Sequence, residues 1–200
     1  MATNVKAIIA NLLSFYDFNG KTIISVGAGG GQFIEYARSA QKVYAVDNDS
    51  EALNRLNDNL IKANLTDKFT LIHSEFEQVN LTGDVVLFEF CLHEMNDASV
   101  AIKRALTMAP VVIISDHLPN SEWAFIVGEE QKVVNSWNAI EHFDIRKRQE
   151  YEAVQSFADY EELYQKVKGQ GSEVIKRISK FKNQSCFEIP MLYGFVKITN

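Results

Sequence analysis

The fold is decided by the stretch Ile23-Ile24-Ser25-Val26-Gly27-Ala28-Gly29-Gly30-Gly31-Gln32-Phe33. Its first part is apolar and has the composition of a buried strand, and a helical pattern follows the glycines. A glycine-lined turn lets the backbone pass close to a ligand and presents the amides of a helix N-terminus to it. The stretch therefore predicts a strand, a ligand-binding turn and a helix in succession.

A second strand indicates what kind of ligand this turn binds. The apolar run 43–46 leads directly into Asp47. A carboxylate at this place, roughly twenty residues beyond the glycines, accepts hydrogen bonds from the ribose of a nucleoside. The two segments together predict a nucleoside cofactor at the carboxyl ends of the strands.

The glycine spacing discriminates between cofactors. A dinucleotide fingerprint, G-x-G-x-x-G, would need a glycine at Gln32 or Ile34. The glycines instead follow G-x-G-x-G, at positions 27, 29 and 31. This pattern resembles the first motif of class I S-adenosylmethionine-dependent methyltransferases. The resemblance implies that the loop and the second strand end bind S-adenosylmethionine, through Gly27, Gly29, Gly31, Asp47 and Asn48.

Two later segments extend the resemblance, which covers about residues 20–117. The strand 69–72 ends near Glu75 and Phe76, where these methyltransferases place an acidic residue against the adenine amino group and a neighbour along the ring; Ser74 is the alternative. The segment 83–95, with Asp84 before the strand and Leu92-His93 after it, is similar to the fourth-strand motif of the small-molecule branch, which includes ubiquinone and menaquinone biosynthesis enzymes.

One position departs from the family pattern. Many members carry an acidic residue two positions before the first glycine, whereas this chain has Ser25. A serine can accept a hydrogen bond but brings no charge. Glu89, near the end of the fourth strand, could supply the missing carboxylate, so both side chains are candidate cofactor ligands.

Alternating apolar patterns predict a Rossmann-like, doubly wound α/β domain. It has a mostly parallel seven-stranded sheet, an antiparallel last strand and helices on both faces. A single domain is expected over 1–200, divided into an N-terminal helix (1–19), a cofactor-binding core (20–117) and substrate-side helices and terminal strands (118–200). The predicted elements are helix 3–17, β 22–26, α 31–39, β 42–46, α 50–63, β 68–72, β 84–89, α 97–106 and β 110–115.

After residue 116 the pattern allows more than one interpretation. Residues 121–140 have helical spacing, and 143–154 and 186–198 read as strands, the second interrupted by Pro190. These strands would form the antiparallel pair that ends the sheet in the family, with helices 157–168 and 172–182 inserted between them. The alternative makes 172–181 the sixth strand.

Two acid–histidine pairs are expected where strands four and five end: His93-Glu94 and Asp116-His117. Methylation of a hydroxyl requires a base near neutral pH, and imidazole suits that role, so the histidines favour oxygen methylation. His93 could instead cap the turn or bond to backbone. A metal site from these four residues is conceivable, but no close ligand spacing supports it, and we expect none. Tyr16, Trp123 and Trp137 are candidates for an aromatic substrate pocket.

The composition indicates which classes of binding partner and which cellular location to expect. The net charge is −6, and the isoelectric point is near 5.3, which argues against a nucleic-acid surface. No apolar run is long enough to span a bilayer, and Cys91 and Cys186 suggest buried thiols in a reducing compartment, so we expect a cytoplasmic protein. We expect a monomer or a homodimer.

Three functions are therefore considered. The leading hypothesis is an S-adenosylmethionine-dependent methyltransferase that acts on a small molecule. The second is an inactive adenosyl-ligand-binding or regulatory protein, which Ser25 would suit. The third is an NAD-dependent oxidoreductase, against which the glycine spacing and the Leu92-His93 pair argue.

Overall fold

Seven strands form one sheet in the computed structural model, which describes residues 4–199. Their spatial order is β3-β2-β1-β4-β5-β7-β6, with the first five parallel and β7 antiparallel to both of its neighbours. The predicted fold class is confirmed. The strands are β1 (Thr22–Val26), β2 (Lys42–Asp47), β3 (Phe69–His73), β4 (Val85–Glu89), β5 (Val111–His117), β6 (Ile145–Asp159) and β7 (Ser185–Thr199).

The helices connect these strands, and several begin and end at clear local signals. The second helix begins after Asp49, whose carboxylate accepts the Glu51 N–H, and ends before Asn64, which has the left-handed conformation; its bounds are the predicted 50–63. The helices are α1 (Val5–Phe15), α2 (Ser50–Ala63), α3 (Ala98–Met108), α4 (Glu122–Ile126), α5 (Glu130–Ile140), α6 (Tyr160–Val167) and α7 (Ser172–Ile178). The first residues of the predicted helix 3–17 include Thr3, which lies outside the described residues.

The central strands of the sheet are buried on both faces. Along β4, Val85 and Leu87 belong to one apolar cluster, while Val86 and Phe88 belong to the other. Successive side chains of a strand point to opposite faces, so a continuous apolar run is the pattern of a strand covered on both sides. This core holds the strand ends in fixed positions.

Glycines correct two of the predicted helices. The predicted helix 31–39 is only a 3-10 helix, Ile34–Arg38, and its predicted first residue, Gly31, has a φ of 76° that a right-handed helix cannot contain. The predicted helix 121–140 is broken into α4 and α5 at Gly128, whose φ is 80°.

The last two strands form the predicted antiparallel pair, with α6 and α7 between them, so the alternative strand at 172–181 is wrong. β6 is longer than expected and ends at Asp159. Pro190 does not interrupt β7, because the pairing with β5 stops at Tyr193 and leaves Pro190 with a neighbouring strand on one side.

Two further observations concern the sequence expectations. Cys91 is half-buried and Cys186 is exposed, so the prediction of two buried thiols is wrong for Cys186, and both thiols are free. No helix within residues 4–199 has both the length and the apolar character needed to cross a membrane.

Leu87 tests the two-sided core. Replacement by Ala removes a fully buried side chain from the central strand, and we expect the free energy of unfolding to fall by about 2–5 kcal/mol. Ile61→Ala, at a side chain that is 60% exposed, is the control and should change it by less than about 0.5 kcal/mol. Urea denaturation measures both, and equal losses would contradict the assignment.

Candidate functional site

The glycine loop after β1 is joined to the end of β2. Gly27, Gly29 and Gly31 all have positive φ, and the Gly29 N–H donates to Asp47 Oδ2 at 2.8 Å. Gly27 also passes close to Cys91, since a Cβ at this position would lie 2.5 Å from the Cys91 Cβ. The loop therefore needs glycine both for its conformation and for its contact with the turn after β4.

The ends of β2 and β3 form the next part of the site. Asp47 Oδ1 accepts the Asp49 N–H at 2.9 Å, and Asn48 Nδ2 donates to both carboxylate oxygens of Glu75, at 3.1 and 3.2 Å. Phe76 is buried and packs edge-on against Phe88, with ring centroids 5.4 Å apart. Phe76 thus forms a floor, while the polar groups around it remain accessible.

A single cavity of about 280 Å³ lies among these strand ends. It opens along the carboxyl edge of the sheet, as expected for ligand sites in parallel sheets. Gly27, Asp47, Asn48, Glu75, Phe76 and Glu89 line it, together with Phe90 and Cys91. Six of the residues predicted to bind the cofactor therefore surround the same space.

The buried carboxyl group of Glu89 lines this cavity. Glu89 Oε1 accepts hydrogen bonds from Ser25 Oγ at 2.5 Å and from the Tyr36 hydroxyl at 2.6 Å. Burial raises the pKa of Glu89 to about 7, although both hydroxyl groups act in the opposite direction. Ser25 therefore does not replace the family's acidic residue by itself, because its hydroxyl group donates to the Glu89 carboxyl group on the neighbouring strand β4.

Asp116 joins the end of β5 to the turn after β4. Its Oδ1 lies 2.5 Å from His93 Nδ1 and accepts the His117 N–H at 2.8 Å, and its Oδ2 accepts the His93 N–H at 3.1 Å. Burial acts to lower the pKa of His93, but Asp116 and Glu129 outweigh it and raise the pKa to about 10. The His93 imidazole is accordingly held in place beside acidic groups.

His117 has a different environment from His93. Burial lowers the pKa of its imidazole, and its ring lies beside Phe90 and His93, at centroid distances of 5.1 and 5.7 Å. Its Nδ1 is buried without a hydrogen-bond partner among the described residues. The two histidines thus lie side by side with opposite shifts in pKa.

His117 lines a second cavity, of about 160 Å³. Its aromatic walls come from Phe33 and Phe90, which are stacked at 5.6 Å, and from Trp123. Gln155 also lines it, and the Gln155 Oε1 is the other buried side-chain atom without a partner in the part of the chain that the structure describes. The two residues with unsatisfied polar atoms therefore line the same cavity.

Two predicted pocket residues lie elsewhere. Trp137 is in the apolar cluster that contains Leu118 and donates its Nε1–H to the His117 carbonyl, so it supports β5 from behind. Tyr16 packs against Phe18 near Lys21, which precedes β1, at the opposite edge of the sheet. Aromatic character suggested a pocket in both cases, whereas Trp123 does line the second cavity.

Four residues of these sites were not predicted from the sequence. Tyr36 was hidden in the predicted helix, and the positive φ of Phe90 carries no sequence signal. Glu129 comes close to His93 only through the fold. Gln155 had a detectable signal, because it alternates in phase with the apolar residues Ala153 and Phe157 and therefore points toward the core.

Residues 24–109 match the protein family described as "Methyltransferase domain". No curated protein sequence matches the chain significantly.

Solved structures share the fold over nearly the whole chain. A protein of Bacillus halodurans C-125 that is described as a methyltransferase (BH2331) is 14% identical, with a TM-score of 0.66 over 98% of each chain. Magnesium protoporphyrin IX methyltransferase of Synechocystis PCC 6803, solved with bound SAH, is 13% identical, with a TM-score of 0.57 over 96% of this chain and 80% of that one. A protein of Pyrococcus horikoshii that is described as an RNA methyltransferase is 19% identical, with a TM-score of 0.60 over 98% of this chain and 83% of that one.

The family match and the fold confirm the predicted class, a class I S-adenosylmethionine-dependent methyltransferase, and they support S-adenosylmethionine as the cofactor. They favour this class over a nicotinamide-dependent oxidoreductase.

Substitution of Gly27 tests whether the glycine loop binds the cofactor, and Gly20, which has a similar φ, provides the control position. Gly27→Ala and Gly20→Ala both place a side chain at a φ near 66°, which costs about 1–2 kcal/mol, but a Cβ at Gly20 meets nothing within 4 Å. We expect similar backbone strain in both variants and at least a tenfold loss of S-adenosylhomocysteine affinity in Gly27→Ala alone. Isothermal titration calorimetry measures the affinity, and equal losses in both variants would contradict the role of the loop.

Proposed function

We propose that this protein transfers a methyl group from S-adenosylmethionine to a hydroxyl oxygen of a small aromatic acceptor, with His117 as the base. The observation that carries the proposal is the second cavity, where the buried His117 Nδ1 and Gln155 Oε1 lack partners. A buried polar atom without a partner is costly, so two of them at one cavity favour a ligand that bonds to both.

The residues around the larger cavity fit S-adenosylmethionine. Asp47 offers a carboxylate at the end of β2 for the ribose, and Glu75 with Asn48 offers polar groups for the adenine edge. Glu89 offers a buried carboxyl group for the cationic methionine end. Gly27, Gly29 and Gly31, with the Ser25 hydroxyl that fixes Glu89, complete the proposed cofactor residues.

Both ends of the chain contribute to the acceptor cavity. Ile8 comes from α1, and Trp123, Gln155 and Met191 come from the part after residue 117. We therefore propose the expected division of one domain into an N-terminal helix, a cofactor-binding core and a substrate-side part.

The mechanism follows from what these side chains can do. When bound, S-adenosylmethionine supplies an electrophilic methyl group by direct displacement. His117 accepts the proton of the acceptor hydroxyl at Nδ1. Gln155 Oε1 accepts a hydrogen bond from a second polar group of the acceptor, which fixes the orientation of the acceptor's aromatic ring. The aromatic walls exclude water, and Asp116 positions His117 through its backbone N–H.

We assign the base to His117 and not to His93. The lowered pKa of His117 leaves its imidazole neutral, whereas Asp116 and Glu129 hold a proton on His93. His93, Glu94 and Asp116 are proposed as positioning residues near the reacting groups.

A small-molecule acceptor suits the charge distribution better than a nucleic acid. Several basic residues of the C-terminal third are paired with acids: Arg148 with Glu141, Arg177 with Glu130 and Lys176 with Glu173. Magnesium protoporphyrin IX methyltransferase, one of the structural neighbours, is named for a small-molecule substrate. We extend that substrate class, and not the RNA class of the Pyrococcus neighbour, to this chain.

His117→Ala tests the proposed base. We expect turnover to fall by about a hundred- to ten-thousand-fold, with the affinity for S-adenosylmethionine unchanged, because the imidazole lines the acceptor cavity and not the cofactor cavity. Transfer of labelled methyl to a panel of phenols and catechols measures turnover. His142→Ala, at an exposed histidine, should behave like the wild type. Equal losses of turnover and cofactor affinity would contradict the assignment, and no transfer by the wild type would favour the binding-protein alternative.

Glu89 predicts a pH dependence of cofactor binding. Its pKa in the folded protein, about 7, lies above the ordinary value of 4.5, so the free energy of unfolding falls as the pH rises between these values. A cationic ligand prefers the ionised carboxylate, and we expect the affinity for S-adenosylmethionine to rise about tenfold from about pH 6 to about pH 8. Calorimetry at each pH measures it. Glu89→Gln should bind S-adenosylmethionine more weakly, with an affinity that does not vary with pH. An affinity in this variant that still rises with pH as in the wild type would contradict the prediction.

A further inference from the structure

Three ligating side chains converge beside the turn that follows β4. His93 Nε2 lies 3.5 Å from Glu94 Oε1 and 3.5 Å from Glu129 Oε2, and the ligand atoms of all three lie within 4.8 Å of one another. Glu129 comes from the residue before α5 and is distant in sequence. The three residues have no close ligand spacing in the sequence, so the sequence did not predict a metal at this place.

The separations suit a shared cation better than direct hydrogen bonds. N–H···O hydrogen bonds are typically about 2.7–3.2 Å long, so both contacts of Nε2 are longer than that range. Ligands bound at about 2.0–2.2 Å to one ion, with tetrahedral or octahedral angles, lie about 2.9–3.5 Å apart. Both observed separations are at the upper end of this second range.

The imidazole is also oriented as a metal ligand would be. His93 Nδ1 lies 2.5 Å from Asp116 Oδ1, and the Asp116 side chain is fully buried. A carboxylate on one ring nitrogen fixes the ring and directs the other nitrogen outward, which is the usual arrangement around metal-ligating histidines. The His93 side chain is only 3% exposed, and its Nε2 is directed between the two glutamates.

The charge and the access of the cluster agree with a cation. Lys132 Nζ bonds to Glu94 Oε2 at 2.6 Å, which leaves Glu94 Oε1 facing His93. When a metal ion displaces the Nε2 proton of His93, Asp116, Glu94 and Glu129 exceed this single paired cation by two negative charges. A cavity lined by His93, Glu94 and Asn135 provides access.

We propose that His93, Glu94 and Glu129 bind a divalent transition-metal ion such as Mn²⁺, Co²⁺ or Zn²⁺. One imidazole nitrogen and two carboxylate oxygens suit these ions better than Ca²⁺ or Mg²⁺, which prefer oxygen ligands alone. Three protein ligands leave further coordination positions for water or a substrate oxygen. The site is independent of the identity of the methyl acceptor.

The experiment uses the full chain with Cys186→Ser in every sample, because the exposed thiol could also bind metal. After removal of metal with a chelator, Co²⁺ is titrated and followed by visible absorption, and Mn²⁺ is titrated by calorimetry. We expect one equivalent of each ion to bind, with at least a tenfold weaker affinity in Glu129→Gln.

Glu130→Gln is the matched control, since it removes the same charge from the adjacent residue, which pairs with Arg177 instead. Circular dichroism establishes that each variant is folded, and His93→Gln provides a second test of the site. The proposal is overturned if the wild-type site binds neither ion, or if Glu129→Gln binds as tightly as Glu130→Gln.

Discussion

The buried carboxylate of Asp116 connects the structural and chemical parts of this protein. It accepts the backbone N–H groups of His93 and His117 and contacts the His93 imidazole, so one side chain joins the end of β5 to the turn after β4. The orientation of both histidines depends on this group. Removal of one partner would leave a buried charge without compensation, which is among the more costly changes a core can undergo.

Glu89 shows a second way to bury a carboxyl group in the same sheet. Two hydroxyl groups, from Ser25 and Tyr36, bond to one of its oxygens, and no basic partner appears among its described contacts. Burial therefore raises its pKa, whereas a histidine compensates Asp116. Neighbouring strand ends thus hold one carboxyl group that is easily protonated and another that is paired with an imidazole. This difference separates a group suited to respond to a cationic ligand from one suited to orientation.

Much of the core could be predicted from sequence because its signals are local. Apolar runs that end at glycines or at Asp47 predicted β1 and β2, and Asp49 and Asn64 mark the ends of α2. The acceptor side could be predicted far less well, since it depends on contacts between distant segments. Glu129 meets His93, and Gln155 meets the cavity of His117, only after β6 and α5 have packed. Tyr16 and Trp137 were misplaced because an aromatic side chain does not reveal which end or face of a sheet it will occupy.

The position of β7 between β5 and β6 affects the order of folding. Strands β1 to β5 are formed by residues 22–117, but β5 gains its second neighbour only when residues 193–199 pair with it. During synthesis, β5 would therefore have one open edge while about 75 further residues (118–192) are added, at a rate of about 5–20 residues per second. Its sequence, Val-Val-Ile-Ile, is strongly apolar, and exposed apolar edges pair readily with other chains. The nascent protein is thus most vulnerable to aggregation during the few seconds before its own β7 protects this edge.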